Sequence, residues 1–124
     1  MTLRRTLVAV VDDDESVRES LPDLVRELGY SALPFASAKD FLASESWADT
    51  ACLVLDVAMP DMSGPELQHE LTRRGCAIPI IFITALADNG LAFTLLQRGA
   101  TACLIKPFSE QNLRLALATA LSGA

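Results

Sequence analysis

The stretch TLVAVVDDDESVRESLPDLVRELG, residues 6–29, contains the pattern on which the fold prediction rests. Its first part, Thr6 to Val11, is a short apolar run typical of a buried strand. Ser16 to Leu28 then spaces its apolar residues as an amphipathic helix does, and Gly29 is a favoured residue just beyond a helix C-terminus. The stretch therefore predicts a strand followed directly by a helix.

The same alternation of strand and helix recurs along the chain. Further strands are predicted at Tyr30 to Phe35, Cys52 to Leu55, Ile80 to Thr84 and Thr101 to Ile105. A short helix is predicted after Ser37, which is a plausible N-cap. Ser63 and Glu66 form a capping box, with Pro65 in the first turn, and predict a helix that extends to about Arg74. Two more helices are predicted, one over Asp88 to Arg98 and one that begins at the Ser109 cap and reaches Leu121. Buried strands alternating with helices predict a parallel sheet covered on both faces. We expect one domain over residues 1–124, an α/β flavodoxin-like doubly wound fold, (βα)5, with strand order 2-1-3-4-5.

Composition excludes several functional classes. The net charge of −6 disfavours binding of nucleic acid by this domain itself. The apolar runs of the sequence are much shorter than the roughly 18 residues that a membrane span requires. No cleavable export signal is recognised at its start. The cysteines are odd in number and His69 is the only histidine. We therefore expect reduced thiols in a cytoplasmic protein, without a zinc site.

Polar residues stand where the predicted strands end. They are Asp12, Asp13 and Asp14 after the first strand, Asp56 after the third, Thr84 at the end of the fourth, and Lys106 after the fifth. In this fold the carboxyl ends of the strands share one edge, and ligands bind where the strand order reverses. Carboxylates that meet there repel one another unless a cation intervenes. A donor set made only of oxygen suits Mg²⁺.

Asp56 is the central carboxylate of this predicted group. An extended Lys106 side chain spans the roughly 10 Å between two strands two positions apart, so it reaches back toward Asp56, with the Thr84 hydroxyl between them. Each of these residues, taken alone, has an ordinary structural explanation. Acidic residues are common at a helix start, a threonine hydroxyl can be buried at a strand end, and a lysine there can simply be solvated. Their joint occurrence at four strand ends favours phosphoryl transfer, with Asp56 as the nucleophile.

Four segments resemble the receiver domain of two-component response regulators: VVDDDESVR (10–18), LDVAMPDMSG (55–64), IIFITA (80–85) and IKPF (105–108). The segments DMSGPEL and FASAKDFL (35–42) resemble in particular the FixJ type, whose receivers usually precede a helix-turn-helix DNA-binding domain. The resemblance implies a phosphorylation-dependent signalling domain of a phosphorelay rather than an enzyme, acting in transcription regulation. We expect no output domain within the chain.

The resemblance also implies the components of the metal site. Asp56 accepts the phosphoryl group from a sensor histidine kinase. Asp13 binds Mg²⁺, or Mn²⁺, directly, whereas Asp12 binds it through water. The carbonyl of Ala58 is a further ligand.

The remaining implied roles concern the switch. Lys106 contacts the phosphoryl group, Thr84 moves to hydrogen-bond it, and the bond from Lys106 to Pro107 is cis. The surface of the fourth helix, fifth strand and fifth helix then binds a partner or a second copy of the chain.

Three positions depart from the pattern of the family. Cys103 stands where an aromatic switch residue is common, so coupling between Thr84 and that position is expected to differ. Ala58 and Leu86 are apolar where polar side chains often orient the attacking water. We therefore predict slow loss of the phosphoryl group.

Two alternatives remain open from the sequence. The spacing Asp12-x-Asp14 after an apolar strand resembles the nucleophile motif of Mg²⁺-dependent phosphatases of the haloacid dehalogenase type. Against this, the chain is too short for a cap domain. The other alternative is a pseudo-receiver that binds partners without phosphorylation, which the complete set of Asp, Thr and Lys residues disfavours.

Overall fold

Residues 6–85 and 89–122 are described by the computed structural model of the chain. In these ranges five strands alternate with five α-helices. Their bounds in chain order are β1 (Leu7–Val11), α1 (Glu15–Glu27), β2 (Ser31–Phe35), α2 (Ala38–Ala43), β3 (Cys52–Asp56), α3 (Gly64–Arg73), β4 (Ile80–Thr84), α4 (Asn89–Gln97), β5 (Ala102–Ile105) and α5 (Glu110–Ser122). A short 3-10 helix at Glu45–Asp49, absent from the predicted elements, joins α2 to β3.

The strands form one parallel sheet in the order β2-β1-β3-β4-β5. This order confirms the predicted doubly wound, flavodoxin-like fold. β1 lies between β2 and β3, with Val11 opposite both Phe35 and Leu55. The chain therefore leaves β1 in one direction along the sheet and later returns to add β3 on its other side. The carboxyl ends of β1 and β3 consequently open onto a shared crevice.

Helices cover both faces of the sheet, and its central strands β1, β3 and β4 are almost completely buried, which explains why these strands read as continuous apolar runs. On one face Leu53 and Phe82 pack beneath α2, α3 and α4. On the other face Val54 and Ile81 pack beneath α1 and α5. Successive side chains of a strand point to opposite faces, so each strand contributes to both halves of the core.

Local hydrogen bonds fix where the helices begin. The Ser63 hydroxyl accepts from the backbone N–H of Glu66 at 3.2 Å, and the Glu66 carboxylate accepts from the N–H of Ser63 at 2.9 Å, which confirms the capping box. Ser37 caps α2 and the Ser109 hydroxyl accepts from Asn112 at the start of α5. The predicted start of α4 at Asp88 lies outside the described residues. Within residues 6–85 and 89–122, none of the helices combines the length and hydropathy that a bilayer span requires.

Candidate metal and phosphoryl site

Three carboxylates meet at the carboxyl ends of β1 and β3. Asp12 and Asp13 follow β1, Asp56 is the last residue of β3, and their ligand oxygens lie within 4.8 Å of one another. Asp12 is fully buried, Asp56 is 6% exposed, and Asp13 is open to solvent. The structure thus brings together three of the four acidic residues that the sequence placed at one edge of the sheet.

Lys106 provides the positive charge of this cluster. Its Nζ lies 3.0 Å from Oδ2 of Asp12 and 4.0 Å from Oδ1 of Asp56. The sequence had suggested Asp56 as the group it approaches, but Asp12 is the nearer partner. A fully buried carboxylate has no water to solvate it, so it gains more from a direct hydrogen bond to the ammonium group.

The backbone holds Lys106 in this place. Its N–H donates to the carbonyl of Thr84 at 2.7 Å, which ties the end of β5 to the end of β4. Thr84 is itself buried. The bond between Lys106 and Pro107 is cis, as the resemblance implied.

The electrostatics of the cluster single out Asp56. Burial raises the pKa of Asp56 to about 7, and the negative charge of Asp12 adds to this effect, while Lys106 opposes it. For Lys106 itself, burial favours the neutral form, but the hydrogen bond and the charge of Asp12 outweigh it and raise the pKa. Without a metal, the cluster therefore favours the protonated form of Asp56, chiefly because the carboxyl group is buried.

Asp12 is anchored by several hydrogen bonds besides the one to Lys106. Its Oδ1 accepts from the N–H of Asp14 at 2.8 Å, and its own N–H donates to the Phe35 carbonyl at 3.1 Å. The guanidinium of Arg18, on α1, donates to the Asp12 carbonyl at 3.0 Å. The sequence assigned no role to Arg18. Its signals were its place in the first turns of the helix that follows the acidic residues and its inclusion in the segment VVDDDESVR (10–18).

Asp14 does not join the cluster. Its Oδ1 accepts from the N–H of Ser16 at 2.9 Å and from the Ser16 hydroxyl at 2.8 Å, so it is the N-cap of α1. These hydrogen bonds lower the pKa of Asp14. For this residue the ordinary explanation, acid at a helix start, is the correct one. The Asp12-x-Asp14 pair of the phosphatase alternative is thus not assembled.

Gly64 is a site-building residue that the sequence analysis did not single out. Its N–H donates to the Val57 carbonyl at 2.9 Å, and a Cβ at this position would lie 2.5 Å from the carbonyl oxygen of Asp56. Only glycine allows α3 to begin this close to the end of β3. The sequence feature that could have pointed to Gly64 is its position directly after the Ser63 cap.

The donor set of the cluster fits a hard divalent cation. Three carboxylates supply only oxygen, and Mg²⁺ is bound in proteins through one or two carboxylates together with water and phosphate oxygens. An ammonium group beside the same carboxylates is suited to neutralise an entering phosphoryl group. The arrangement is therefore chemically suited to hold a divalent cation and a phosphoryl group side by side.

Comparisons with known proteins agree with this geometry. The sequence profile described as the response regulator receiver domain matches residues 8–118. The chain belongs to this family.

Individual relatives of this receiver domain include the response regulator protein TodT of Pseudomonas putida, 40% identical over 98% of the chain and 53% of TodT. Another is the transcriptional regulatory protein FixJ of Azorhizobium caulinodans, 39% identical over 92% of the chain and 54% of FixJ. Among solved structures, FixJ-N superimposes with a TM-score of 0.87 at 34% identity, covering 98% of both chains. The resemblance to FixJ is confirmed. The receiver domain spans about half the length of these curated relatives.

Two of the three positions at which this receiver domain departs from the family pattern lie within the described residues. Ala58 is exposed in the loop that follows Asp56. Cys103 is half-buried on β5, opposite Phe82 of β4, and packs against the core beneath α4. Leu86 lies outside the described residues. The small side chains at the first two positions leave more room there than polar or aromatic residues do.

Proposed function

We propose that this receiver domain accepts a phosphoryl group on Asp56 from a sensor histidine kinase, with Mg²⁺ or Mn²⁺ as cofactor. The observation that carries the proposal is the cluster of Asp12, Asp13 and Asp56 with the Lys106 ammonium group inside it. Carboxylates at this separation are an unfavourable arrangement unless they hold a cation. A cluster kept in this state is typical of a functional site.

The chain's own residues have distinct tasks in the proposed transfer. A carboxylate oxygen of Asp56 attacks phosphorus, the bond between phosphorus and the phosphohistidine nitrogen breaks, and an acyl phosphate forms. Lys106 stabilises the charge on the transferring group, and Thr84 hydrogen-bonds it afterwards. Asp13, Asp56 and the Ala58 carbonyl would hold the metal, with Asp12 acting through water. The metal would neutralise charge on the phosphoryl oxygens.

The proposed output surface consists of α4, β5 and α5. Of the five large apolar side chains exposed in the described ranges, four belong to it: Phe93, Leu96, Ile105 and Leu115. We propose that phosphorylation changes this surface, so that it binds a second copy of the chain, a partner protein or a fused DNA-binding domain. Thr84 ends β4 opposite Ile105 of β5, and Cys103 lies on β5 itself, so these two residues would transmit the change.

The test of phosphorylation is labelling by a small phosphodonor. Acetyl phosphate with Mg²⁺ should place one acid-labile phosphoryl group on the wild-type chain, measurable by intact mass. Asp56→Asn should abolish the label, because an amide is not a nucleophile of this kind. Asp14→Asn is the matched control, since asparagine also caps helices and Asp14 lies outside the cluster.

The outcomes separate the three functional hypotheses. Labelling of Asp56→Asn at the wild-type stoichiometry would exclude Asp56 as the acceptor. Loss of the label in Asp14→Asn instead, with turnover of a generic phosphate ester, would point to the phosphatase. Absence of both the label and Mg²⁺ binding would identify a pseudo-receiver.

A further inference from the structure

A second cleft lies at the amino ends of β4 and β5, at the opposite edge of the sheet from the carboxylate cluster. It has a volume of about 310 Å³ and lies between the end of α3, the start of β4 and the turn from α4 to β5. Leu71 and Ile80 are among its apolar wall residues, and Gln68, Thr101 and Arg98 are among its polar ones. Ligand sites typically combine an apolar wall with a few polar groups, and this volume suits a small molecule.

Gln68 is the buried polar group of this cleft. The residue is only 8% exposed, and its Nε2 donates to the carbonyl of Arg98 at 3.3 Å. A carbonyl can only accept, so the amide nitrogen must face Arg98 and the amide oxygen must face away. That oxygen accepts no hydrogen bond from any described residue. Every fully buried side-chain polar atom in the described ranges has a partner, so the oxygen must reach open space.

Arg98 supplies the charge. It is the one ionisable residue with a permanent charge among those lining the cleft, and no described carboxylate lies within ion-pair distance of it. Glu70, an acidic residue on α3, pairs with Arg73 and Arg74. The guanidinium is therefore available to a carboxylate, which it can bind through two parallel hydrogen bonds.

We propose that this cleft binds a small organic anion. Its carboxylate pairs with Arg98, its apolar body contacts Leu71 and Ile80, and a hydroxyl or N–H on the ligand donates to Oε1 of Gln68. Arg98 follows α4 directly and Gln68 belongs to α3, so the ligand joins the two helices at the end remote from Asp56. This site is separate from the proposed phosphorylation, and its test needs no phosphodonor.

Benzoate is the probe, and the isosteric but uncharged benzamide is its control. In a titration followed by ¹H–¹⁵N spectra, benzoate should shift the signals of the Gln68 side-chain amide, Ile80 and Thr101, and saturate with a Kd of about 1 mM or below. Benzamide should bind at least about tenfold more weakly, because it lacks the charge-assisted pair with Arg98.

Two variants localise the binding. Arg98→Gln should weaken benzoate binding about tenfold or more, whereas Arg114→Gln on the exposed face of α5 should leave it unchanged. Equal binding of benzoate and benzamide, unchanged binding in Arg98→Gln, or shifts confined to other regions would each overturn the proposal. Absence of shifts at about 10 mM benzoate, far above the expected Kd, would overturn it as well.

Discussion

Asp12 and Asp56 are the same residue type a few ångströms apart, yet their surroundings give them different tasks. Asp12 directs one oxygen to the N–H of Asp14 and the other to Lys106. Asp56 has the ammonium group only at 4.0 Å, beyond hydrogen-bond distance. Its carboxylate is therefore the less stabilised of the two. At the residue scale, Lys106 and the backbone hold Asp12 by direct hydrogen bonds, whereas Asp56 lies beyond hydrogen-bond distance of the ammonium group, as suits the acceptor role that we propose for it.

The raised pKa of Asp56 predicts how stability depends on pH in the metal-free protein. The folded chain holds this proton up to about pH 7, whereas an ordinary aspartate, as in the unfolded chain, loses it near 3.8. The folded state thus binds more protons between these values, so the free energy of unfolding must fall as pH rises through them. Relative to Asp56→Asn, we expect a loss of about 2 kcal/mol between pH 5 and pH 7 in urea denaturation with EDTA. Parallel pH profiles for the two proteins would contradict the assignment.

The lifetime of the acyl phosphate is a further residue-scale prediction. Ala58 is exposed beside Asp56 and carries no group that can orient water. We expect the label to persist for minutes or longer in Mg²⁺ after the phosphodonor is removed, and Ala58→Asn to shorten its half-life at least about tenfold. Ala58→Val adds bulk without a polar group and should not shorten it. A wild-type half-life of seconds would refute the prediction.

At the scale of elements, the connection from β3 to α3 builds the site. The capping box at Ser63 starts α3, and the N–H of Gly64 donates to Val57, which pins the helix start to the strand end that holds Asp56. Asp61 turns the chain between them with a φ of 69°, in the left-handed region that aspartate tolerates better than most residues. The helix and the strand therefore cannot separate without moving Asp56.

Gly64→Ala tests this close approach. Its Cβ would meet the Asp56 carbonyl at 2.5 Å, so backbone must shift, and we expect a loss of about 2 kcal/mol in the free energy of unfolding together with weaker Mg²⁺ binding. Gly75→Ala is the control, because Gly75 has a φ of 74° but open space around it. That variant should lose about 1 kcal/mol from backbone strain alone and keep its Mg²⁺ affinity. Unchanged Mg²⁺ affinity in Gly64→Ala would show that the contact does not position the site.

At the scale of the whole molecule, apolar exposure is unevenly distributed. Phe93 on α4 is 64% exposed and Leu115 on α5 is 57% exposed, whereas the central strands β1, β3 and β4 and the inner faces of the helices are largely buried. α4 combines a buried Leu95 with exposed apolar residues on its outer side. An apolar patch on a helix pair marks an interaction surface in many proteins. This distribution favours association through the α4, β5 and α5 surface.

Association can be measured by light scattering with size-exclusion chromatography. With beryllofluoride and Mg²⁺ in place of the phosphoryl group, we expect the chain to dimerise through this surface. Phe93→Ser should weaken the dimer at least about tenfold, since a large apolar side chain at an interface centre contributes strongly. Leu33→Ser, at an exposed position on β2 at the far edge of the sheet, is the matched control. A dimer that is insensitive to Phe93→Ser would place the interface elsewhere.

The sequence by itself determined the fold and which carboxylates form the cluster of Asp12, Asp13 and Asp56, because local sequence patterns predict both. Buried strands show as apolar runs, helix starts show as Ser63 and Glu66 at their spacing, and parallel strands place their terminal residues at one edge. The strands therefore lie within one residue of their predicted bounds, although Asp56 is the last residue of β3 rather than the residue after it. The 3-10 helix at Glu45–Asp49 was missed, since it has no side-chain cap to mark it.

Only the tertiary structure decided which groups touch. Lys106 and Asp12 are 94 residues apart, and no local pattern shows that the ammonium group lies nearer to Asp12 than to Asp56. The contact of Gly64 with Asp56 likewise depends on the distance between two packed elements. Side-chain hydrogen bonds and close packing are decided over fractions of an ångström, and those distances exist only once the sheet and helices have assembled.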